Sequence, residues 1–243
     1  MISLNKLKSK TGLIFTSPKL DISLKYNQAK NEGPFYARFT LSFFKEVTRR
    51  HPRMPIFGRM TRGVAVCKLD ADYDSYFNSL ESSARRNVRK ALRKGYSFES
   101  INYNDHLDDI YEIRCSTSIR QGVMDANYVN EKPKPNADPK PNNGSHNYPY
   151  FGVFDSNRKL VAYAGCIVAG ELLELSHYFG HRDYQSDGIV PLLITEIAKR
   201  SIEGYSGVKY FVYGSYVNSS ETLARFKKKL MFKPYHVHWI LNE

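Results

Sequence analysis

From residue 150 onward short, dense apolar runs are separated by turn residues. Residues 150–154 and 160–168 read as strands, with Asp155-Ser-Asn-Arg158 as the hairpin turn between them. Gly170 makes a second turn, and 171–179 reads as a third strand. The period then lengthens to that of a helix: Leu192, Leu193, Ile197 and Ala198 recur at helical spacing, Pro191 sits in the first turn and Gly204 closes the run. A strand at 208–213 follows, then a helix capped by Asn218 or Ser219 and reaching Leu230, then a last strand at 235–241. Hairpin, strand, helix, strand, helix and strand make an α/β (α+β) chain: a mixed, mostly antiparallel sheet flanked by helices.

The first half is less regular. Pro18, Pro34, Pro52 and Pro55 interrupt its apolar patches, with a short helix at 41–50 and a strand at 63–69. The clearest helix spans 70–94. Asp72 or Asp74 can cap it, Tyr73, Phe77, Leu80, Ala84, Val88, Ala91 and Leu92 form its apolar face, and Gly95 stands at the C′ position. A strand at 97–103 and an amphipathic helix at 105–121, with Leu107, Ile110 and Ile113, come next. Residues 125–147 hold Pro133, Pro135, Pro139 and Pro141 among Asn, Lys and Asp, which predicts a mobile loop. The expected division is therefore a partial N-terminal half (1–122), a flexible Pro/Asn-rich loop (123–149) and a C-terminal half (150–243).

Composition narrows the class. With 42% hydrophobic residues in 243, the chain can bury a core. No run approaches the roughly 18 apolar residues of a membrane span, and the basic start lacks an apolar signal region, so a cytoplasmic protein is expected. Cys67, Cys115 and Cys166 are too dispersed for a disulfide framework or a zinc site, and Cys67 and Cys166 lie in apolar runs as buried thiols. The net charge of +12 favours polyanionic partners, including nucleic acid, phosphorylated co-substrates and anionic membrane surfaces.

Three segments carry candidate chemistry. In the first, Arg85, Arg86, Arg89, Lys90, Arg93 and Lys94 crowd one helix, and Arg86, Arg89, Lys90 and Arg93 form a stripe opposite Ala84, Val88 and Ala91. A row of guanidiniums suits phosphate. In the second, Gln185-Ser-Asp-Gly188-Ile-Val190 joins a strand to a helix, where backbone N–H groups and the helix dipole favour a pyrophosphate. The third runs from Tyr213 through Asn218 and Phe226-Lys-Lys-Lys to Phe232.

These segments resemble the GNAT superfamily, and within it the Fem-type subset. Gln185 to Val190 stand where that superfamily has its Q/R-x-x-G-x-G/A loop, and Asn218 to Phe232 where it has an Asn and a helix ending in Tyr-x-x-x-Gly-Phe. Tyr76 to Leu80, Arg85-Arg86-Asn87, Arg89-Lys90-Ala91 and Gly95 are similar to the Fem-type entry helix, and Phe226-Lys227 to its Phe-Lys element. Val190 departs from the second small residue of the loop, and Met231 from the glycine before Phe232. The resemblance spans about 63–241 and implies a GNAT-like fold with a truncated N-terminal half.

It also implies transfer of an acyl group, from acyl-CoA or aminoacyl-tRNA as co-substrate, to an amine of a sugar, amino acid or cell-envelope precursor. Gln185, Ser186, Asp187, Gly188, Ile189, Val190 and Asn218 would then hold the donor. Arg86, Arg89, Lys90, Arg93 and Lys227 would meet donor or acceptor phosphates. No Ser-His-Asp or Cys-His arrangement is evident, so direct attack without a covalent intermediate or a metal is expected. Alternation along 171–180 puts Glu174, Ser176 and Tyr178 on one face and Leu173, Leu175, His177 and Phe179 on the other. Glu174 is the leading base, His177 the second, and Tyr213 or Tyr216 can protonate the leaving group. Two other readings stay open: a nucleic-acid-binding module using the Arg85–Lys94 helix, and a catalytically inactive relative.

Overall fold

A computed structural model describes residues 12–13, 15–52, 54–69, 71–117, 129–137, 139 and 144–242. In chain order these form β1 (Lys19–Ser23), α1 (Tyr26–Glu32), α2 (Pro34–Thr48), β2 (Arg50–His51), β3 (Met54–Gly58), β4 (Val64–Lys68), α3 (Tyr73–Ser79), α4 (Ser82–Arg93) and β5 (Ser97–Ile101). There follow α5 (Leu107–Cys115), β6 (His146–Asn147), β7 (Tyr150–Phe154), β8 (Leu160–Ala169), β9 (Leu172–Gly180), α6 (Ile189–Gly204), β10 (Tyr210–Ser215), α7 (Glu221–Lys229) and β11 (Lys233–Ile240). Nine strands make one mixed sheet in the order β1-β11-β4-β10-β9-β8-β7-β5, with β6 on β8. β1–β11 and β10–β9 are its parallel pairs. Strands from either side of residues 123–149 interleave: β4 lies between β11 and β10, and β5 pairs with β7.

The core sits on both sheet faces. On one, Leu192, Leu193 and Ile197 of α6 pack against Phe151, Ala164, Leu173 and Phe211, and Ala84, Val88 and Ala91 of α4 join them. That is the apolar face the sequence pattern gives the basic helix. On the other, Phe43 and Val47 of α2 cover Val64, Val66, Val212 and Trp239, while Ile110 and Ile113 of α5 cover Tyr103, Tyr150 and Tyr163.

Several elements differ from their expected bounds. The helix expected over 70–94 is two, broken at Leu80, which is extended (φ −62°, ψ 150°) and 2% exposed. Asp72 caps α3 by accepting from the Ser75 N–H, and the Glu81 N–H donates to the Lys229 carbonyl at 3.1 Å. Leu80 and Glu81 are both good helix formers, so the break comes from this tertiary anchor and leaves no local mark. The helix expected at 41–50 begins earlier, at Pro34. That expected at 105–121 opens as a 3₁₀ turn, Tyr103–His106, before α5, and residues 118–121 lie outside the described ones. Ser220 caps α7 by accepting from the Leu223 N–H, in place of Asn218 or Ser219. Cys67 and Cys166 are buried free thiols, and Cys115 is exposed.

Part of the segment expected as a mobile loop, residues 123–128, 138 and 140–143, lies outside the described residues. The described part is held by polar pairing, which a composition-based reading does not register. Asn104 and Asn136 exchange hydrogen bonds of 3.0 and 2.8 Å, and Asn136 Nδ2 donates to the Tyr150 hydroxyl at 2.8 Å. Further on, the Glu32 carboxylate accepts from the Ser145 and His146 backbone N–H groups, while His146 Nε2 lies 2.8 Å from the Leu24 carbonyl. Burial raises the Glu32 pKa, and the bonds from Ser145 and His146 overcome it, so the net shift is downward. Glu32→Ala removes the acceptor for both N–H groups and is expected to lower stability by about 1–3 kcal/mol in urea melts. Because the folded-state pKa is depressed, this contribution is present above the unfolded value and fades as pH falls below about 4. A variant as stable as wild type at pH 7 would remove the clasp from the account.

Candidate active site

β9 carries the first feature. Gly165 pairs with His177 but Cys166 pairs with Leu175, so Ser176 is an extra residue in β9, a β-bulge. Glu174 lies opposite Ile167, and His177 opposite Gly165, two residues apart on one face of β8. The bulge therefore brings His177 onto the Glu174 face and turns Tyr178 to the face of Leu173 and Leu175, where it joins the α6 side of the core. Simple alternation had separated Glu174 from His177 and grouped it with Tyr178. A bulge inverts the faces beyond it, and nothing in the local composition announces one.

The second feature is a parting of strands. β9 and β10 pair at Leu172–Tyr210, Leu173–Phe211 and Glu174–Val212, and no further, although both strands continue. From Leu175 and Tyr213 onward the two edges lack each other as ladder partners. Glu174 and His177 flank this gap on one face of the sheet, Tyr178 and Tyr213 on the other. The Tyr213 hydroxyl donates to that of Tyr178, and their rings meet edge-on at 5.3 Å.

Glu174 is 9% exposed, and burial pushes its pKa up to about 7. Among the described residues it has no hydrogen-bond or ion-pair partner to offset that burial. Burial, and secondarily the Arg114 charge, push the His177 pKa down to about 4, leaving a neutral imidazole between Tyr150 and Tyr163. Burial raises Tyr213 well above its ordinary value, so its hydroxyl stays protonated. Lys227 is 2% exposed and is turned inward from α7. Its Nζ donates to the carbonyls of Tyr213 (2.7 Å) and Ser215 (2.8 Å) and lies 4.3 Å from the Tyr213 ring centroid. Burial pushes its pKa down to about 7. Grouped by sequence with the phosphate-facing cations, it stands instead at the parted end of β10, away from the exposed row.

That row is Arg86, Arg89 and Arg93, all exposed on α4, with Arg89 5.7 Å from the Phe77 ring. Lys90 is half-buried, and its Nζ donates to the Ser186 carbonyl at 2.9 Å. The basic helix thus packs directly on the loop before α6. Residues Arg182–Asp187 form a 3₁₀ turn, with Gln185 and Ser186 exposed, Ile189 buried and Val190 half-buried. Asp187 accepts from Lys94 (2.6 Å) and from the Tyr96 hydroxyl (2.9 Å), and the Lys94 bond holds its pKa low. Gly188 is left-handed (φ 90°), and a Cβ there would lie 2.4 Å from the Asn87 carbonyl oxygen. This glycine is required for the close crossing of α4 and α6. Gly188→Ala is expected to cost about 2–4 kcal/mol, as a lower urea midpoint, from backbone strain and overpacking together. Asn218 is exposed in the turn before α7, its N–H donating to Ser215 Oγ.

Sequence reasoning missed Arg114. It is 8% exposed, and its Nε and Nη2 donate at 3.0 Å to the Tyr163 and Tyr103 hydroxyls beneath His177. The signal was present: a cation four residues after Ile110, on the apolar side of its helix. Among the described residues no three or more His, Cys, Asp or Glu side chains cluster as a metal site would require, and no helix is long and apolar enough to cross a membrane.

With strands that part beside a bulge and a helix entering behind them, the chain is a mixed α/β protein of GNAT-like fold. Among solved structures it is similar to FemX, at a TM-score of 0.54 and 12% identity, over 71% of this chain and 59% of that one. It therefore spans less than two thirds of FemX. A tandem GNAT protein from the clavulanic acid biosynthesis pathway aligns at a TM-score of 0.46 and 11% identity, over 71% of this chain and 50% of its own. L-PGS from Bacillus licheniformis aligns at 0.43 and 13%, over 70% and 58% respectively. No protein-family model matches the chain, and no curated protein matches it.

Proposed function

We propose that this protein is an N-acyltransferase in which an amine attacks an acyl donor directly at the gap between β9 and β10. The observation that carries the reading is the parting of these strands after Glu174 and Val212, with different chemistry on its two sides. On one face Glu174 takes the proton of the incoming amine, since a carboxylate with a pKa near 7 is a competent base at neutral pH. His177, neutral, positions the amine beside it. On the other face Tyr213 gives a proton to the leaving group, and Lys227 supplies a cation or a further proton at the same edge. Backbone N–H groups along the parted edge of β9 donate hydrogen bonds to the carbonyl oxygen of the donor as charge develops on it. Two substrates entering from opposite faces meet without a covalent enzyme intermediate.

The exposed Arg86, Arg89 and Arg93 are proposed to hold phosphates of the donor or the acceptor. Gln185, Ser186 and the N-terminus of α6, with Asn218, are the proposed donor-holding elements. The Fem-type resemblance supports an aminoacyl-tRNA or an acyl-CoA as donor and an amine of a sugar, amino acid or envelope precursor as acceptor.

The test is thermal stability of the purified chain against acetyl-CoA, longer acyl-CoAs and bulk tRNA at two salt concentrations. A rise in melting temperature with one donor class, diminished by Ser186→Glu, is the expected result. Ser186 is the better probe because a Gly188 substitution disturbs the α4–α6 crossing itself. Binding of every polyanion alike, abolished by salt, would replace the transferase with a nucleic-acid-binding module. No shift with any donor would favour an inactive relative.

A further inference from the structure

Among the described residues four large apolar side chains are exposed, and three of them, Leu13 (36%), Phe15 (63%) and Ile56 (82%), belong to two chain segments that touch. Ile56 is on the β2–β3 hairpin, a two-stranded sheet separate from the main one. Phe57, its neighbour, meets Phe15 edge-on at 6.0 Å, which joins the hairpin to the turn carrying Leu13 and Phe15. The surroundings are basic. Residues 45–62 contain six Lys and Arg against one acid, Glu46. Glu46 is shared by Arg49 and Arg59, the Arg62 guanidinium lies 5.0 Å from the Phe57 ring centroid, and Lys45 and Arg50 are exposed beside them.

We propose that this region, with the exposed Ile56 and Phe15 as its apolar tips and Lys45, Arg49, Arg50, Arg59 and Arg62 around them, docks the protein on an anionic lipid bilayer. Charge complementarity selects the occupant: an excess of cations around apolar tips matches a surface whose headgroups are negative and whose interior is apolar. A nucleic acid would match the cations but leave an aliphatic tip such as Ile56 without a partner, because recognition of its bases uses stacking and polar contacts. The inference is independent of the acyl-transfer reading, since none of these residues belongs to the β9–β10 gap.

The experiment is co-sedimentation of the full chain with vesicles of phosphatidylcholine alone and of phosphatidylcholine with 30% phosphatidylglycerol, at low and high salt. Wild type is expected to bind only the anionic vesicles. Ile56→Ser is expected to weaken that binding about tenfold, and Arg50→Glu by at least about fivefold, most strongly at low salt. Both positions are exposed, so the melting temperatures of both variants should match wild type. Lys228→Glu, an exposed cation on α7, whose apolar side packs into the α6 core and not with α2, should leave vesicle binding unchanged. No binding to anionic vesicles, or equal binding by Ile56→Ser, overturns the proposal. A concentration-dependent dimer abolished by Ile56→Ser, with no vesicle binding, would assign the face to a second copy of the chain. Tight RNA binding lost in Arg50→Glu but kept in Ile56→Ser, again without vesicle binding, would assign it to nucleic acid.

Discussion

Glu174→Gln is expected to lower kcat by about two to four orders of magnitude while making the protein more stable at pH 8. The first effect follows from the proposed role. A base must be deprotonated to act, so the wild-type rate should rise through about pH 7, where burial places the Glu174 carboxyl, and then level off. The variant should lack that limb. The second effect follows from the same burial with the sign worked through. An unfolded glutamate titrates near about 4.3, so between there and about 7 the folded chain binds the extra proton. Stability then falls as pH rises across that window, and at pH 8 the ionised carboxylate carries its full desolvation cost. Glutamine is neutral throughout and avoids it. A gain of about 3 kcal/mol at pH 8, vanishing by pH 4, is the expected magnitude in urea melts. Activity lost without that gain would mean that Glu174 is compensated by a partner, and the raised pKa would no longer support its role as base.

Much of the fold was legible before any coordinates. The strands from residue 150 onward, the helix with Pro191 in its first turn and the left-handed Gly95 follow from periodicity and turn chemistry, which are local properties. What escaped is non-local. β1 is five residues, and its place is fixed by parallel pairing with β11 more than two hundred positions away. The break at Leu80 depends on the Lys229 carbonyl. The Ser176 bulge is a property of the β8–β9 register, yet it decides which residues share the Glu174 face. Glycines were legible as punctuation but not always by cause. Gly188 fits a phosphate loop by sequence, while its geometry is dictated by the Asn87 carbonyl beside it. Met231 shows the converse. It holds a left-handed conformation (φ 67°) at the end of α7, with the Phe232 N–H bonded to the Lys227 carbonyl and the Met231 N–H to that of Lys228. This is the paired closure that usually takes glycine, so Met231 holds in a left-handed conformation the place where the resemblance leads one to expect glycine. Lys227 looked like one more surface cation in a run of three lysines. Only the inward turn of α7 distinguishes it from Lys228.

That inward lysine has the opposite pH signature to Glu174, and Lys227→Met should expose it. In the unfolded chain a lysine titrates near about 10.4, whereas burial lowers Lys227 to about 7 in the folded protein. Between those values the unfolded state binds the extra proton, so wild-type stability rises with pH from about 7 to about 10. Methionine fills much of the same volume without a titrating group. It also leaves the Tyr213 and Ser215 carbonyls without their donor, a cost of about 1–3 kcal/mol for each carbonyl that water does not reach. The two effects separate by pH. Below pH 7 the variant gains by removing a buried ammonium and loses by orphaning the carbonyls, and the difference from wild type should be small. By pH 10 only the loss remains, and the gap in unfolding free energy should have widened by about 3–4 kcal/mol. If the gap is the same at pH 7 and pH 10, the ammonium is not desolvated, and Lys227 reverts to a structural tether of β10. If the gap widens as expected and the variant also loses turnover at pH 7, where its melting temperature is nearly unchanged, the loss belongs to chemistry at the parted strands and not to folding.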